Sequence, residues 1–172
     1  MSPFGHFAIA LAVKPAAPKV QLWVLLLSTE VLDLISYLFK FIGIEKFSVS
    51  QTDIHQGVTQ LRPGSYPWSH GLFMTVVWSL VAAAIAFIFY RNCRATSVVG
   101  LLVFSHWVLD FIVHRAELPL LFNSSPRVGL GLWTSPPGFI FSVILEFALL
   151  AGGTAIYLVW RKRKTALGKA NQ

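Results

Sequence analysis

Four stretches of the chain stay apolar long enough to cross a hydrocarbon layer about 30 Å thick, which takes roughly 20 residues at 1.5 Å of helical rise each. They cover 20–44, 70–90, 96–114 and 138–160. A shorter apolar segment over 3–13 would rise only about 16 Å as a helix and cannot cross alone. It reads as a half-membrane or re-entrant helix, joined to the first span by Lys-Pro-Ala-Ala-Pro-Lys at 14–19. Further breakers fall between spans: Arg-Pro-Gly-Ser-Tyr-Pro at 62–67 and Ser-Pro-Pro-Gly at 135–138. Gly152 and Gly153, inside the fourth span, read as a place of close helix contact. The pattern predicts an all-α membrane protein of about four transmembrane helices plus a short N-terminal half-membrane helix. One domain spans 1–160, and 161–172 form a basic, mobile, cytoplasmic tail.

Composition agrees: 55% of the 172 residues are hydrophobic and 12% charged, about half the charge of a soluble domain. Trp23, Trp68, Trp133 and Trp160 suit the headgroup level, and Trp107 reads as packing inside. The net charge of +7 does not imply a nucleic-acid partner, because the basic residues cluster beside the apolar runs, as membrane anchors do. The partners implied are membrane lipids. The single Cys93 excludes an intramolecular disulfide and a Cys-rich zinc site. No positive residue precedes the 3–13 segment, so it does not read as a signal peptide. With both termini cytoplasmic, nine Lys and Arg (Lys14, Lys19, Arg91, Arg94, Arg161, Lys162, Arg163, Lys164, Lys169) lie inside against five (Lys40, Lys46, Arg62, Arg115, Arg127) outside. That bias predicts N-in, C-in, and the 161–164 cluster reads as a topology anchor.

Four of the seven acidic residues fall within apolar spans: Glu30, Asp33, Asp110 and Glu146. An ionised carboxylate at mid-bilayer costs about 2.5–3.5 kcal/mol even on insertion scales. The spans supply only Lys40 as a basic residue, and it can snorkel to the interface. Protons, histidines or a bound metal must therefore answer these acids. His6 lies in the short helix, His70 opens the second span, and His106 and His114 lie in the third. His106 and Asp110 are four apart and Glu30 and Asp33 three apart, so each pair shares a helix face. Rise counted along each helix puts His6, Glu30, Asp33, His106, Asp110 and Glu146 at roughly 12–21 Å, in one mid-membrane layer, and His70 at about 30 Å, needing helix tilt or a dipping loop to join them. Imidazole with carboxylate and no thiolate suits zinc, manganese or iron. His114 alone reads as a hydrogen-bonded helix residue, and Asp53 and His55 as loop residues.

The order of these groups resembles the inner-membrane metal-dependent hydrolase family of bacteria that includes the LexA-regulated membrane protein of enteric bacteria. Its pattern is an N-terminal His in a short apolar helix, an Asp in the first long span, a Ser/Thr-His opening the next, and Ser-His-x-x-x-Asp on a later one. Here those are His6, Asp33, Ser69-His70, and Ser105-His106 with Asp110. The order is also similar, more distantly, to zinc phospholipase C and related nucleases. The match runs over about 4–114. Beyond it, Val-Gly-Leu-Gly-Leu-Trp at 128–133 and Glu146 fit a narrower branch labelled membrane proteins or permeases. The family has a further His five residues before the second-span His, and Ser65 holds that place, leaving a thinner ligand set.

The resemblance implies a divalent metal, zinc first, held by His6, Asp33, His70, His106 and Asp110. Glu30 and Glu146 are the candidates for catalytic carboxylates. The expected function is metal-assisted hydrolysis of a lipid or phosphoester in a bacterial inner membrane. Two alternatives use the same residues differently: a small proton-coupled permease, which four spans would make a homo-oligomer, or a non-catalytic membrane scaffold.

Overall fold

The structure, a computed structural model, describes residues 1–46, 49–53, 58–62, 66–122 and 124–170. Five α-helices organise it: α1 (Pro3–Val13), α2 (Leu22–Phe41), α3 (Leu72–Tyr90), α4 (Cys93–Val113) and α5 (Pro136–Ala170). All but α1 contain a stretch long and apolar enough to cross a membrane, that of α5 covering Pro136–Leu167. α1 is the expected short helix, and Pro3 sits in its first turn, where a missing N–H costs nothing. Two short hairpins lie between the helices. β1 (Val49–Asp53) pairs antiparallel with β2 (Val58–Arg62), and β3 (Leu118–Pro119) with β4 (Arg127–Val128). Asp53, expected in a loop, ends β1; His55 and Ser65 lie outside the described residues.

Local chemistry sets the helix ends. Arg91 adopts a left-handed conformation at φ 46°, and Asn92 accepts the Ala95 amide at 2.9 Å as the N-cap of α4. A two-residue link therefore turns α3 straight back onto α4. Gly100 lets the two approach closely, since a Cβ there would lie 3.1 Å from that of Ala83. α2 stops at Gly43 (φ 78°), where Gly43 and Ile44 donate back to the carbonyls of Lys40 and Phe39. This is a Schellman ending, and only a glycine takes its left-handed position without strain.

α4 is the central helix, packing against α1, α2 and α3, while α1 also joins α2 and α5. Its buried residues include Leu102, Val103, His106, Trp107, Asp110 and Val113. Large apolar side chains such as Phe89, Leu101, Phe139, Ile144 and Phe147 stay exposed, as expected of helices whose outer faces meet lipid. Lys14 is buried near one end of the bundle, donating to the carbonyls of Pro18 and Val20 and lying 5.4 Å from the Trp160 ring. Burial, helped by the nearby Lys164 charge, holds its amine below the usual lysine value. The tail beyond Trp160, expected to be mobile, continues α5 as helix to Ala170, with no Pro to interrupt it.

The glycine pair in α5 divides its roles. A Cβ on Gly153 would fall 2.3 Å from the Ala8 carbonyl oxygen, whereas one on Gly152 meets nothing within 4 Å. Gly153→Ala should therefore loosen α1 from α5 and cost about 1–3 kcal/mol. Gly152→Ala should be neutral or slightly stabilising, as helix propensity favours alanine. Thermal melts of the two variants in detergent compare them directly; equal midpoints would show that this contact is not tight.

Candidate metal centre

The centre of the bundle gathers four imidazoles around two carboxylates. Asp110 is 5% exposed. Its Oδ2 faces His106 Nε2 at 3.3 Å and His70 Nε2 at 3.7 Å, and its Oδ1 faces His6 Nε2 at 3.6 Å and His114 Nε2 at 3.7 Å. Asp33 Oδ1 faces His70 Nε2 at 3.2 Å and His106 Nε2 at 3.7 Å. The Met1 α-amino group also rests on Asp110 Oδ1. His6, Asp33, His70, His106 and Asp110 thus come together. Two overlapping trios, His6-His106-Asp110 and Asp33-His70-His106, have ligand atoms within 4.8 Å of one another. His114, one turn beyond Asp110 at the end of α4, joins them.

His70 arrives by a route that a count of helical rise does not capture. It belongs to the turn ahead of α3, not to the helix, and its amide donates to the Tyr66 carbonyl at 2.9 Å. Trp107 Nε1 donates to the His70 carbonyl at 2.9 Å, tying the turn to α4. Gly71 is needed next, because a Cβ there would lie 2.4 Å from the Pro67 carbonyl oxygen.

Neighbouring groups fix which nitrogen carries the proton in two of the rings when those rings are neutral. His106 Nδ1 lies 2.6 Å from the Thr29 carbonyl, which can only accept, so the proton is on Nδ1 and a neutral ring has a bare Nε2. His70 Nδ1 lies 2.8 Å from Ser69 Oγ, which in turn lies 2.8 Å from Glu45 Oε2. The carboxylate can only accept, so Ser69 gives its proton to Glu45 and accepts the one on His70 Nδ1. In a neutral ring His70 Nε2 is then bare too. Glu45, 2% exposed, also takes the amides of Trp68 and Ser69 at 3.0 and 2.8 Å and the Ser36 hydroxyl at 3.0 Å. Sequence reasoning missed Glu45, which lies past the first span and carries no local motif. The one signal was Gly43, whose turn brings Glu45 back beside Ser36.

The two expected catalytic carboxylates lie apart from this ring of contacts. Glu30, half-buried, has an Oε1 with no hydrogen-bond partner and stands within electrostatic reach of His106, Asp33 and Asp110. Glu146 is engaged elsewhere: it accepts the Ser2 amide at 3.1 Å and the Ser2 hydroxyl. It holds the start of α1 to α5 and is not among the groups facing the imidazoles. Comparisons with protein-family models, with curated proteins and with solved structures find no match.

Glu45→Ala would leave the donors of Ser36, Trp68 and Ser69 without their acceptor and free the His70 ring to turn. Unsatisfied buried groups cost about 1–3 kcal/mol each, so stability should fall by at least that amount. Glu45→Gln, which keeps an acceptor oxygen, should lose less. Denaturation of both variants in mild detergent measures the difference, and an unchanged midpoint for Glu45→Ala would contradict the network.

Proposed function

We propose that this chain is a bacterial inner-membrane hydrolase dependent on a divalent ion, zinc first, acting on a lipid or phosphoester. One observation carries the reading: imidazole Nε2 atoms, bare when their rings are neutral, face carboxylate oxygens across 3.2–3.7 Å. Lone pairs set against negative oxygens repel unless a cation lies between them. Ligands about 2.0–2.1 Å from a tetrahedral ion stand about 3.3–3.4 Å from each other, close to these separations. His106 Nε2 and both nitrogens of His6 are buried without a hydrogen-bond partner. Groups in that state are the exception in folded proteins unless an ion or water completes them.

The residue types fit the proposed ion, since imidazole and carboxylate oxygen suit zinc or manganese. His70, His106, Asp33 and Asp110 would hold it, and the Thr29 and Ser69-Glu45 contacts would orient the two rings, as partners behind ligands do in such sites. A divalent ion there would act as a Lewis acid toward an ester oxygen and acidify a water. Glu30, close by and with an unengaged oxygen, is the group best placed to take a proton from that water. The Asp33 side chain is 38% exposed, so the centre is open on the α2 side, where a substrate would enter. Lipid fits that position, because Asp33 lies within a helix apolar enough to span a membrane. The nine-to-five bias of basic residues supports both termini inside.

Metal analysis of the detergent-purified protein should find bound zinc, and His106→Ala combined with Asp110→Ala should abolish it. In phospholipid vesicles, headgroup release should stop on chelation and fall by roughly 10²–10⁴-fold in Glu30→Gln, the usual scale for a lost general base. Equal metal in wild type and double variant would end the proposal. Metal-free, pH-driven uptake would favour the permease instead.

A further inference from the structure

The rings of His6 and His106 are stacked, with centroids 4.0 Å apart and planes 8° from parallel. An imidazole binds an ion in its own ring plane, about 2.0–2.1 Å beyond the nitrogen. An ion in the plane of one stacked ring therefore lies well outside the plane of the other. His6 and His106 cannot share one ion in this arrangement, although both face Asp110. The carboxylate divides in the same way: Oδ2 faces His106 and His70, while Oδ1 faces His6 and His114.

We infer that the centre holds two divalent ions bridged by Asp110. This rests on the metal reading above and deepens it. The first ion takes His70, His106, Asp33 Oδ1 and Asp110 Oδ2, a full tetrahedral set. The second takes His6, His114 and Asp110 Oδ1, three ligands with the fourth position free. Stacked rings that each direct a nitrogen at their own ion set the pair about 4 Å apart, the spacing at which two ions act on one substrate. The first ion is the one proposed above, able to expand to a fifth ligand, and the second keeps a free position beside it.

Two features single out the second place. His6 is 1% exposed, and neither of its ring nitrogens is hydrogen-bonded. The Met1 amine rests on the same Oδ1, so a positive group already stands where the second ion would, and the two compete for that oxygen. His114 adds a role that its isolated position in the sequence did not indicate.

Zinc titration of the full chain in detergent, with bound ions counted per chain, tests this. Wild type should bind two, and His114→Ala, at the half-exposed end of α4, should bind one while keeping its melting behaviour. His6→Ala should also bind one. Manganese-loaded wild type should show an exchange-coupled electron paramagnetic resonance signal that His114→Ala replaces with that of an isolated ion. One ion per chain, unchanged in both variants, would overturn the pair and leave the single-ion reading standing, with the amine holding the second place. Two ions retained in both variants would overturn the ligand assignment. Binding of none would remove this inference and the metal reading together.

Discussion

A desolvated carboxylate whose charge must be answered from several parts of the chain governs this bundle. Asp110 sits on the central helix at 5% exposure, and burying an unpaired ion in an apolar interior costs far more than a typical domain's margin of stability. Its neighbours come from distant parts of the chain: the Met1 amine, His6 of α1, His70 of the turn before α3, and His106 and His114 of α4. Folding must deliver all of them to one point. Packing of α1, of the α3 entry turn and of α4 is therefore coupled through one side chain, not only through the apolar contacts between helices.

That coupling explains why a half-length helix is tolerated. α1 rises only about 16 Å, which is a poor way to span lipid but a direct way to place His6 beside His106 at mid-length of α4. Its exposed beginning is the expense, because the first amides of a helix lack internal partners. Glu146 on α5 answers this by accepting from Ser2, and Gly153 lets α5 come close enough to do so. Two features of the sequence that looked separate, an acid in the fourth span and Gly153 about two turns further on, serve the same short helix.

The four spans were legible because lipid leaves little choice: a crossing segment must be apolar and must satisfy its backbone internally. The five-residue set was legible for a related reason, since acids and imidazoles are conspicuous against such a background. Legibility failed where the chain leaves the helices. Counting rise from a helix end put His70 near the outer surface, but His70 is part of a turn whose path is decided by Trp107, Gly71 and the Tyr66 carbonyl. Glu45 was invisible for the opposite reason. Outside a span an acid is unremarkable, and only the folded Gly43 turn makes it a buried one. Glu146 was conspicuous for its depth, yet depth alone does not say which neighbour it meets.

Glu45 also bears on how the centre stays in register. A histidine ring can flip, and a flipped His70 would present its protonated nitrogen to Asp33 and Asp110, trading a bare nitrogen for an ordinary hydrogen bond. The Ser69 hydroxyl alone would not prevent this, because it can donate to His70 as readily as accept. A buried carboxylate behind it removes the choice: Glu45 takes the Ser69 proton, so Ser69 must accept from His70. The same logic holds for His106, where the Thr29 carbonyl can only accept. Two rings on different elements are thus set in the same sense by acceptors that cannot reverse roles. An arrangement that spends a buried acid to keep a nitrogen bare gains nothing for a proton-sharing pair and accords with the ion proposed for this centre.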